Sequence, residues 1–478
     1  MATRLGNIRA YYLGAVCCIG GFLCTSQTPS TTTSILTPSS VGYDSGIIGG
    51  VLTLKSFMTD YSYSKTNKTR ISSLSVALQQ LGALVACFAI WPVTHRWGRK
   101  WSLIVCSVIF IIGAIIQTVN THSRAAFFVG RVVAGVGLGG SSVVVPMFSG
   151  EMTPKHIRGQ VGSFYQLMFT LGIFTSYWYL PFPLPSPPPS SPSNQLLSTR
   201  VDYGVARSIS PNHSLQWQLP IGLQILPAAL LGLGMLTLKE STRWLMSQNR
   251  YDEAWDSLTW IRASAGEETH LEMDEIRAGV EYEAHAKRNF QFRELLEPSN
   301  FKRVSTAAAV FTAQQATGAT AFAYYGPQYF KLLVGSKGTT PLLLTAIFGA
   351  VKVLACLLFV LFLADKIGRR QVLTLGAIFM AACQITTAVV LKFFPPPKKS
   401  AAGQGISSAG VGMIALIYLF VIAYNFSWGP LPWPYVAEIF PPRIREPGIG
   451  IGVAFQWLFN FGAFIPPFPF PSSPLKPS

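Results

Sequence analysis

Charge is what this sequence is short of. Only 12% of its 478 residues are Asp, Glu, Lys or Arg, where a soluble domain carries about 25%, and this argues against a water-soluble enzyme. Acid is scarcer still: 20 carboxylates stand against 37 Lys and Arg, a formal net charge of +17. In a soluble protein that surplus would suggest a nucleic-acid partner, but its placement, described below, speaks against one. The seven cysteines (Cys17, Cys18, Cys24, Cys87, Cys106, Cys356, Cys383) lie in apolar stretches without Cys-x-x-Cys or Cys/His spacing. They read as small core residues rather than a disulfide or metal framework. There is no nucleophile, base and orienter triad, and no phosphate-binding loop for an ATP-driven pump. Neither an enzyme nor a metal or cofactor site is expected.

What the chain has instead is apolar length. Half of its residues are hydrophobic, and a run of roughly 18 apolar residues crosses a bilayer as a helix. Clear spans are Ile71 to Val93, Trp101 to Val119, Ala125 to Ser149, Val161 to Leu180, Trp217 to Leu238, Val304 to Leu333, Leu342 to Ala364, Val372 to Phe394, Val411 to Val436 and Gly448 to Phe464. Ala10 to Leu54 adds an interrupted one. An all-α membrane protein with about eleven spans is the expectation.

The charges sort by loop. His95 to Lys100, Lys155 to Arg158, Lys366 to Arg370 and Arg443 to Arg445 are basic, while the alternate loops are poor in charge. Basic short loops mark the cytoplasmic side, so the N-terminus is predicted inside. Asn67-Lys68-Thr69 and Asn212-His213-Ser214 are then acceptor patterns for glycosylation on the outer side. Residues 1–238 form one helix bundle and 304–478 another, joined by 239–303. That joining segment holds thirteen of the twenty acids with ten bases and reads as short amphipathic helices on the cytoplasmic surface.

Two patterns occur once in each half. Arg96-Trp97-Gly98-Arg99-Lys100 is echoed by Lys366-Ile367-Gly368-Arg369-Arg370. Glu151-Met152-Thr153-Pro154 with Arg158 is echoed by Glu438-Ile439-Phe440-Pro441 with Arg445. Two pairs in the same order imply duplicated halves, a common transporter plan with the substrate site between them. Gly42-Tyr43-Asp44, Gly130-Arg131, Glu240-Ser241-Thr242-Arg243, Gln314-Gln315-Ala316-Thr317-Gly318, Tyr324-Tyr325 and Gly429-Pro430-Leu431-Pro432-Trp433 complete the set. With these motifs the chain resembles the sugar porter family of the major facilitator superfamily from about Gly20 to Asn460. That resemblance implies two pseudo-symmetric six-helix bundles, here with the first helix interrupted and the twelfth apparently missing.

The resemblance also implies roles. Arg99, Glu151, Arg158, Glu240, Arg243, Asp365, Arg369, Glu438 and Arg445 would form a cytoplasmic gate network that breaks when the bundles tilt. His95 stands where the family has an acid, so the first-half network is expected to be weaker or pH-sensitive. Asp44, the lone carboxylate placed inside a span, would pair with Arg131 and couple proton entry to transport, or else form a permanent salt bridge. Gln166, Gln314, Gln315, Thr320, Tyr325, Trp433, Gln456 and Asn460 would bind a polyhydroxylated substrate. Thr320 replaces the family's usual Asn, and the segment Ala319 to Tyr324 is similar to fungal quinate-permease-type members more than to hexose carriers. Lys352 offers a cation to a carboxylate substrate, or else snorkels or pairs with a lipid or a carbonyl. The function implied is transport of a sugar, polyol or cyclic acid such as quinate by proton symport at a plasma membrane, driven by the proton gradient without a cofactor. Passive facilitation and non-transporting sugar sensing are the alternatives. The partners implied are the substrate, protons and the bilayer, with no nucleic acid.

Three low-complexity stretches interrupt this plan: 25–40, 181–198 and the Pro-rich 465–478. Polar, Pro-rich sequence does not satisfy its own backbone in lipid. Removing 25–40 joins Gly20 to Cys24 onto Val41 to Asp44 and restores one span. These stretches read as translated non-coding sequence or recent insertions. Sequencing the spliced transcript is expected to show a message lacking them, and one that retains all three refutes the reading.

Overall fold

A computed structural model describes residues 4–18, 51, 55–62, 68–177, 213–287, 292–320, 322, 330, 340–363, 368–394, 408–441 and 444–464. Every regular element among them is helical. The first half contains α1 (Arg4–Cys18), α2 (Lys55–Asp60), α3 (Lys68–Trp97), α4 (Arg99–Thr118), α5 (Arg124–Met152), α6 (Arg158–Tyr177), α7 (Leu215–Gly222) and α8 (Ile225–Thr237). The joining segment carries α9 (Thr242–Ser247), α10 (Tyr251–Arg262) and α11 (Glu267–Lys287). The second half contains α12 (Pro298–Ala316), α13 (Thr340–Phe362), α14 (Arg369–Phe393), α15 (Ser408–Phe426), α16 (Pro432–Ile439) and α17 (Arg445–Phe464). Among the described residues, six stretches are long and apolar enough to cross a membrane, namely Ser73–Trp97, Arg99–Thr118, Arg124–Met152, Leu215–Thr237, Arg369–Phe393 and Ser408–Phe426.

Proline and glycine cut runs that hydropathy reads as continuous. The run from Trp217 to Leu238 breaks between α7 and α8, because Pro227 has no N–H for the Leu223 carbonyl and its ring crowds that oxygen. Leu226 N–H takes the carbonyl instead, at 3.3 Å. The run from Val411 to Val436 breaks at the turn between α15 and α16, where Pro430 stands four residues beyond Phe426. There Gly429 N–H reaches back five residues to Tyr424 O at 2.8 Å, and Pro432 opens α16 at a position that needs no donor. The span expected from Val304 begins earlier, with Pro298 in the first turn of α12, and its regular helix ends at Ala316 before Gly318 at φ +79°. Gly98, between α3 and α4, has φ +90° and requires glycine. Its counterpart Gly368 has φ −58°, a value any residue adopts.

Small residues set the packing of the first half. A Cβ on Gly139 would lie 2.1 Å from Ala83 O of α3, and one on Gly135 would lie 2.2 Å from Gln79 O. On another face of α5, Gly137 would meet Cys106 O of α4 at 2.5 Å. With apolar lipid outside, close backbone approach of this kind supplies the contact that hydrophobic burial supplies in water. The two halves meet where α3 packs on α17 and where α6 packs on α13. Trp457 Nε1 of α17 donates to Ser142 Oγ of α5 at 3.2 Å across this boundary.

The close approach generates a contrast between two glycines of one helix. Gly139→Ala forces α3 and α5 apart and is expected to cost about 1–3 kcal/mol. Gly150→Ala, with nothing within 4 Å of its added Cβ, is expected to stay within about 0.5 kcal/mol of the parent or to gain slightly. Thermal unfolding in detergent checks this, and equal midpoints for the two variants refute the packing account.

Candidate functional site

Arg99 opens α4 beside the Gly98 turn, which aims its guanidinium into the boundary between the halves. Its Nε and Nη2 reach Glu151 at 3.2 and 3.1 Å, and Nη2 also reaches Glu446 at 2.5 Å. The three side chains are only 7%, 13% and 11% exposed. Glu151 ends α5 and Glu446 begins α17, so one guanidinium ties both halves. Trp91 Nε1 donates to the other oxygen of Glu446 at 3.2 Å, and Ser241 Oγ donates to Glu151. Glu446 is a functional candidate the motif comparison missed, although it stands directly beside Arg445.

Glu240 supports the same corner. It accepts from the backbone N–H of Arg99 at 3.0 Å and of Lys100 at 3.1 Å. Burial pushes its carboxyl above the ordinary range, and the amide donors with Arg99 oppose that shift. Trp244 Nε1 donates to His95 O at 3.0 Å, and Arg262 Nη1 donates to Met152 O at 3.0 Å, so the joining helices clasp this face. His95 itself takes no part in the Arg99 ion pairs. Its side chain is exposed, and Arg99 draws its two carboxylates from Glu151 and Glu446 without position 95.

In the second half Arg369 pairs with Glu438 at 3.0 Å, with side chains 26% and 48% exposed. In each half, then, the Arg of the turn motif pairs with the Glu that begins the other motif. Arg445 lies half-buried in the first turn of α17. The guanidinium of Arg243 lies 3.8 Å from where a Cβ on Gly279 of α11 would stand. Asp365, Tyr325 and Asp44 lie outside the described residues, as does the side chain of Arg158.

Arg131 sits fully buried in α5. Nε donates to Ser75 O at 2.9 Å, Nη2 to Gln79 Oε1 at 2.5 Å and Nη1 to Gln117 Oε1 at 3.4 Å. Gln79 and Gln117 were not singled out by motif. A pair of amides on two apolar helices was the available signal.

The amides of the second candidate set gather at the α15–α16 turn. Gln314 of α12 donates from Nε2 to Trp428 O at 2.8 Å and Gly429 O at 3.1 Å. Gln166 of α6, from the other half, has its Nε2 3.4 Å from where a Cβ on Gly429 would stand. Both glutamines are buried. Thr320 Oγ1 donates to Gln315 Oε1 at 2.5 Å, so the residue in place of the family's Asn is engaged with the second glutamine. Trp433 is packed edge-on against Phe311 at 5.1 Å, within the core. Gln456 and Asn460 lie one turn apart on α17, both buried. The geometry brings Gln166 and Gln314 together from opposite halves, with Gln315 and Thr320 alongside Gln314.

The chain is similar to known transport proteins over most of its length. A family model described as sugar (and other) transporter matches residues 30–180 and 194–468. The quinate permease of Emericella nidulans is 30% identical over 434 residues, covering 88% of this chain and 76% of that protein. A probable quinate permease of Aspergillus fumigatus is 31% identical over 434 residues, covering 88% and 75%. The proton:xylose symporter XylE of the major facilitator superfamily, bound to 6-bromo-6-deoxy-D-glucose, matches with a TM-score of 0.75 at 23% identity, over 96% of this chain and 88% of that one. An inward-open form of XylE from E. coli matches with a TM-score of 0.65 at 21% identity, over 96% and 89%. The fold is thus the all-α major facilitator fold, and the protein is an integral, multi-pass membrane protein and no enzyme. The chain belongs to the sugar (and other) transporter family.

Proposed function

We propose that the protein carries a sugar or a related polyol or cyclic acid across a membrane by alternating access, in symport with protons. The observation that supports this best is the meeting of Gln166 and Gln314, from opposite halves, at the Trp428–Gly429 turn. Buried amides are costly without partners, and amides suit a polyhydroxylated ligand because each both donates and accepts. Gln315, Thr320, Trp433, Gln456, Asn460 and Tyr325 complete the proposed binding set. The Emericella relative is named for quinate and the XylE structure for proton and xylose. Both names agree with a substrate rich in hydroxyls.

Alternating access needs an element with two states. Arg99 with Glu151 and Glu446 is that element: closed, it joins the halves on the basic face, and tilting exchanges the Arg99–Glu446 bond for water. We assign this face to the cytoplasm from its basic loops, and the membrane to the plasma membrane. Arg158, Glu240, Arg243, Asp365, Arg369, Glu438 and Arg445 are assigned to the same network. Asp44 with Arg131 is the proposed coupling pair. Protonating Asp44 removes its charge, and Ser75 O, Gln79 and Gln117 keep the guanidinium hydrogen-bonded meanwhile. The proton gradient is the driving force and no cofactor takes part.

Uptake of radiolabelled sugar and quinate into proteoliposomes, with and without a pH gradient, tests the proposal. Accumulation driven by the gradient is expected, and the absence of uptake of either class refutes transport. Asp44→Asn is expected to abolish gradient-driven accumulation while retaining exchange of labelled for unlabelled substrate. Undiminished proton-driven uptake in that variant excludes the coupling role. Glu446→Gln is expected to shift the equilibrium roughly tenfold toward an open basic face, about 1.4 kcal/mol. Glu438→Gln, in a half-exposed pair, is expected to shift it by much less. Spin-label distances between α3 and α17 on that face report the shift, and equal effects of the two variants refute the assignment of the main lock to Arg99.

A further inference from the structure

Lys352 is a cation in the wrong place for a structural residue. It stands in the middle of α13 and is 3% exposed. The two ends of that helix are twelve and ten residues away, about 18 and 15 Å along the axis. A four-carbon stem cannot carry the ammonium that far to water, so the snorkelling alternative does not apply. The side chain faces α6 instead, with Nζ 5.5 Å from the centroid of the Phe169 ring. Cys356, one turn along α13, lies against Thr170 of α6. Among the described residues, no carboxylate lies within ion-pair distance of Lys352. An aromatic face, a hydroxyl and a thiol replace only part of the hydration an ammonium loses on burial.

The position matters as much as the missing partner. Phe169 and Thr170 follow Gln166 on α6 by three and four residues, one helical turn. Gln166 points to the Gly429 turn that also holds Gln314, and the buried Tyr424 lies against Gln314. The ring that faces the ammonium therefore follows Gln166 by about one turn of α6, and both lie on the helix that packs against α13 at the seam between the halves. We propose that Lys352 binds the carboxylate of an anionic, polyhydroxylated substrate whose hydroxyls engage Gln166 and Gln314, so that the site selects polyol acids over neutral sugars. This rests on the transport reading above and adds the substrate class. It also makes Lys352 a specificity residue: a neutral sugar leaves the ammonium unpaired, whereas a polyol acid pairs with it as it binds.

The test is uptake of labelled quinate into proteoliposomes, with competition by unlabelled quinate, by its uncharged methyl ester and by a neutral hexose. The wild type is expected to take up quinate and to prefer it to the ester by about tenfold or more, the scale of one charge-assisted hydrogen bond. Lys352→Met keeps the volume and removes the charge. It is expected to raise the quinate KM by about 10–100-fold and to leave competition by the ester unchanged. Lys352→Arg is expected to retain a preference for quinate over the ester. A quinate KM unchanged in Lys352→Met, or equal losses for quinate and ester, overturns the inference. Should Lys352→Met fail to fold, the wild-type ratio of quinate to ester decides, and a ratio near one overturns it. If the wild type takes up the hexose but no quinate, the inference falls and transport stands. If it takes up neither, transport itself falls.

Discussion

One guanidinium ties the two halves of this structure by ion pairs. Arg99 gives two donors to Glu151 in its own half and reaches Glu446 in the other, and each side chain is largely shielded from water. Removing one partner from such a cluster strands a charge in a poor dielectric. Moving the halves apart is different, because water enters as Glu446 leaves. The cluster is therefore more sensitive to substitution than to separation of the halves, which suits the gate role proposed for it. The joining helices belong to the same device. Ser241 donates to Glu151, and Glu240 accepts from the first amides of α4, so the pose of Arg99 is set from outside the bundle.

For that lock to report a rocking motion, the half that carries it must move as a body. The glycines of α5 give a physical reason to expect it. Gly135 and Gly139 lie on the backbone of α3, and Gly137 lies on that of α4, at separations that admit no side chain. Helices in contact through their backbones have few rotamers to exchange, so strain passes through them rather than being absorbed. The seams between the halves differ in kind. They are made of side chains, among them Trp457 on Ser142 and Lys352 over Phe169, and such contacts can be remade in a second arrangement.

The helical class, the repeat and the basic loops were legible in the sequence because each depends on local composition or on a spacing along one strand of chain. Glu151, Arg99, Glu438 and Arg369 were legible for the same reason, but their pairing was not. The carboxylate of one motif pairs with the arginine of the other, and neither motif shows that alone. Glu446 escaped because its role depends on α17 lying against α3, a contact with no signal along the chain. His95 shows the converse: a motif position lacking its usual acid suggested a weakened network, while an acid reaches Arg99 from the other half. Proline breaks at Pro227 and Pro430 were hidden by hydropathy, which averages over the missing N–H.

Two buried cations show how differently one fold treats charge. Arg131 and Lys352 are both inside, in opposite halves, and neither is exposed beyond 3%. Arg131 is set among acceptors, the Ser75 carbonyl and the side chains of Gln79 and Gln117, which hold its donors. Guanidinium suits that task, since its planar fork binds several acceptors at once. Lys352 has a ring face and neutral neighbours, which soften the desolvation of an ammonium without neutralising it. A site that satisfies its cation in advance gains nothing from an incoming anion, whereas one that leaves it under-satisfied gains the full interaction when the anion arrives. The contrast separates the two cations: Arg131 is hydrogen-bonded within the fold, and Lys352 has the unmet demand on which its proposed ligand role rests.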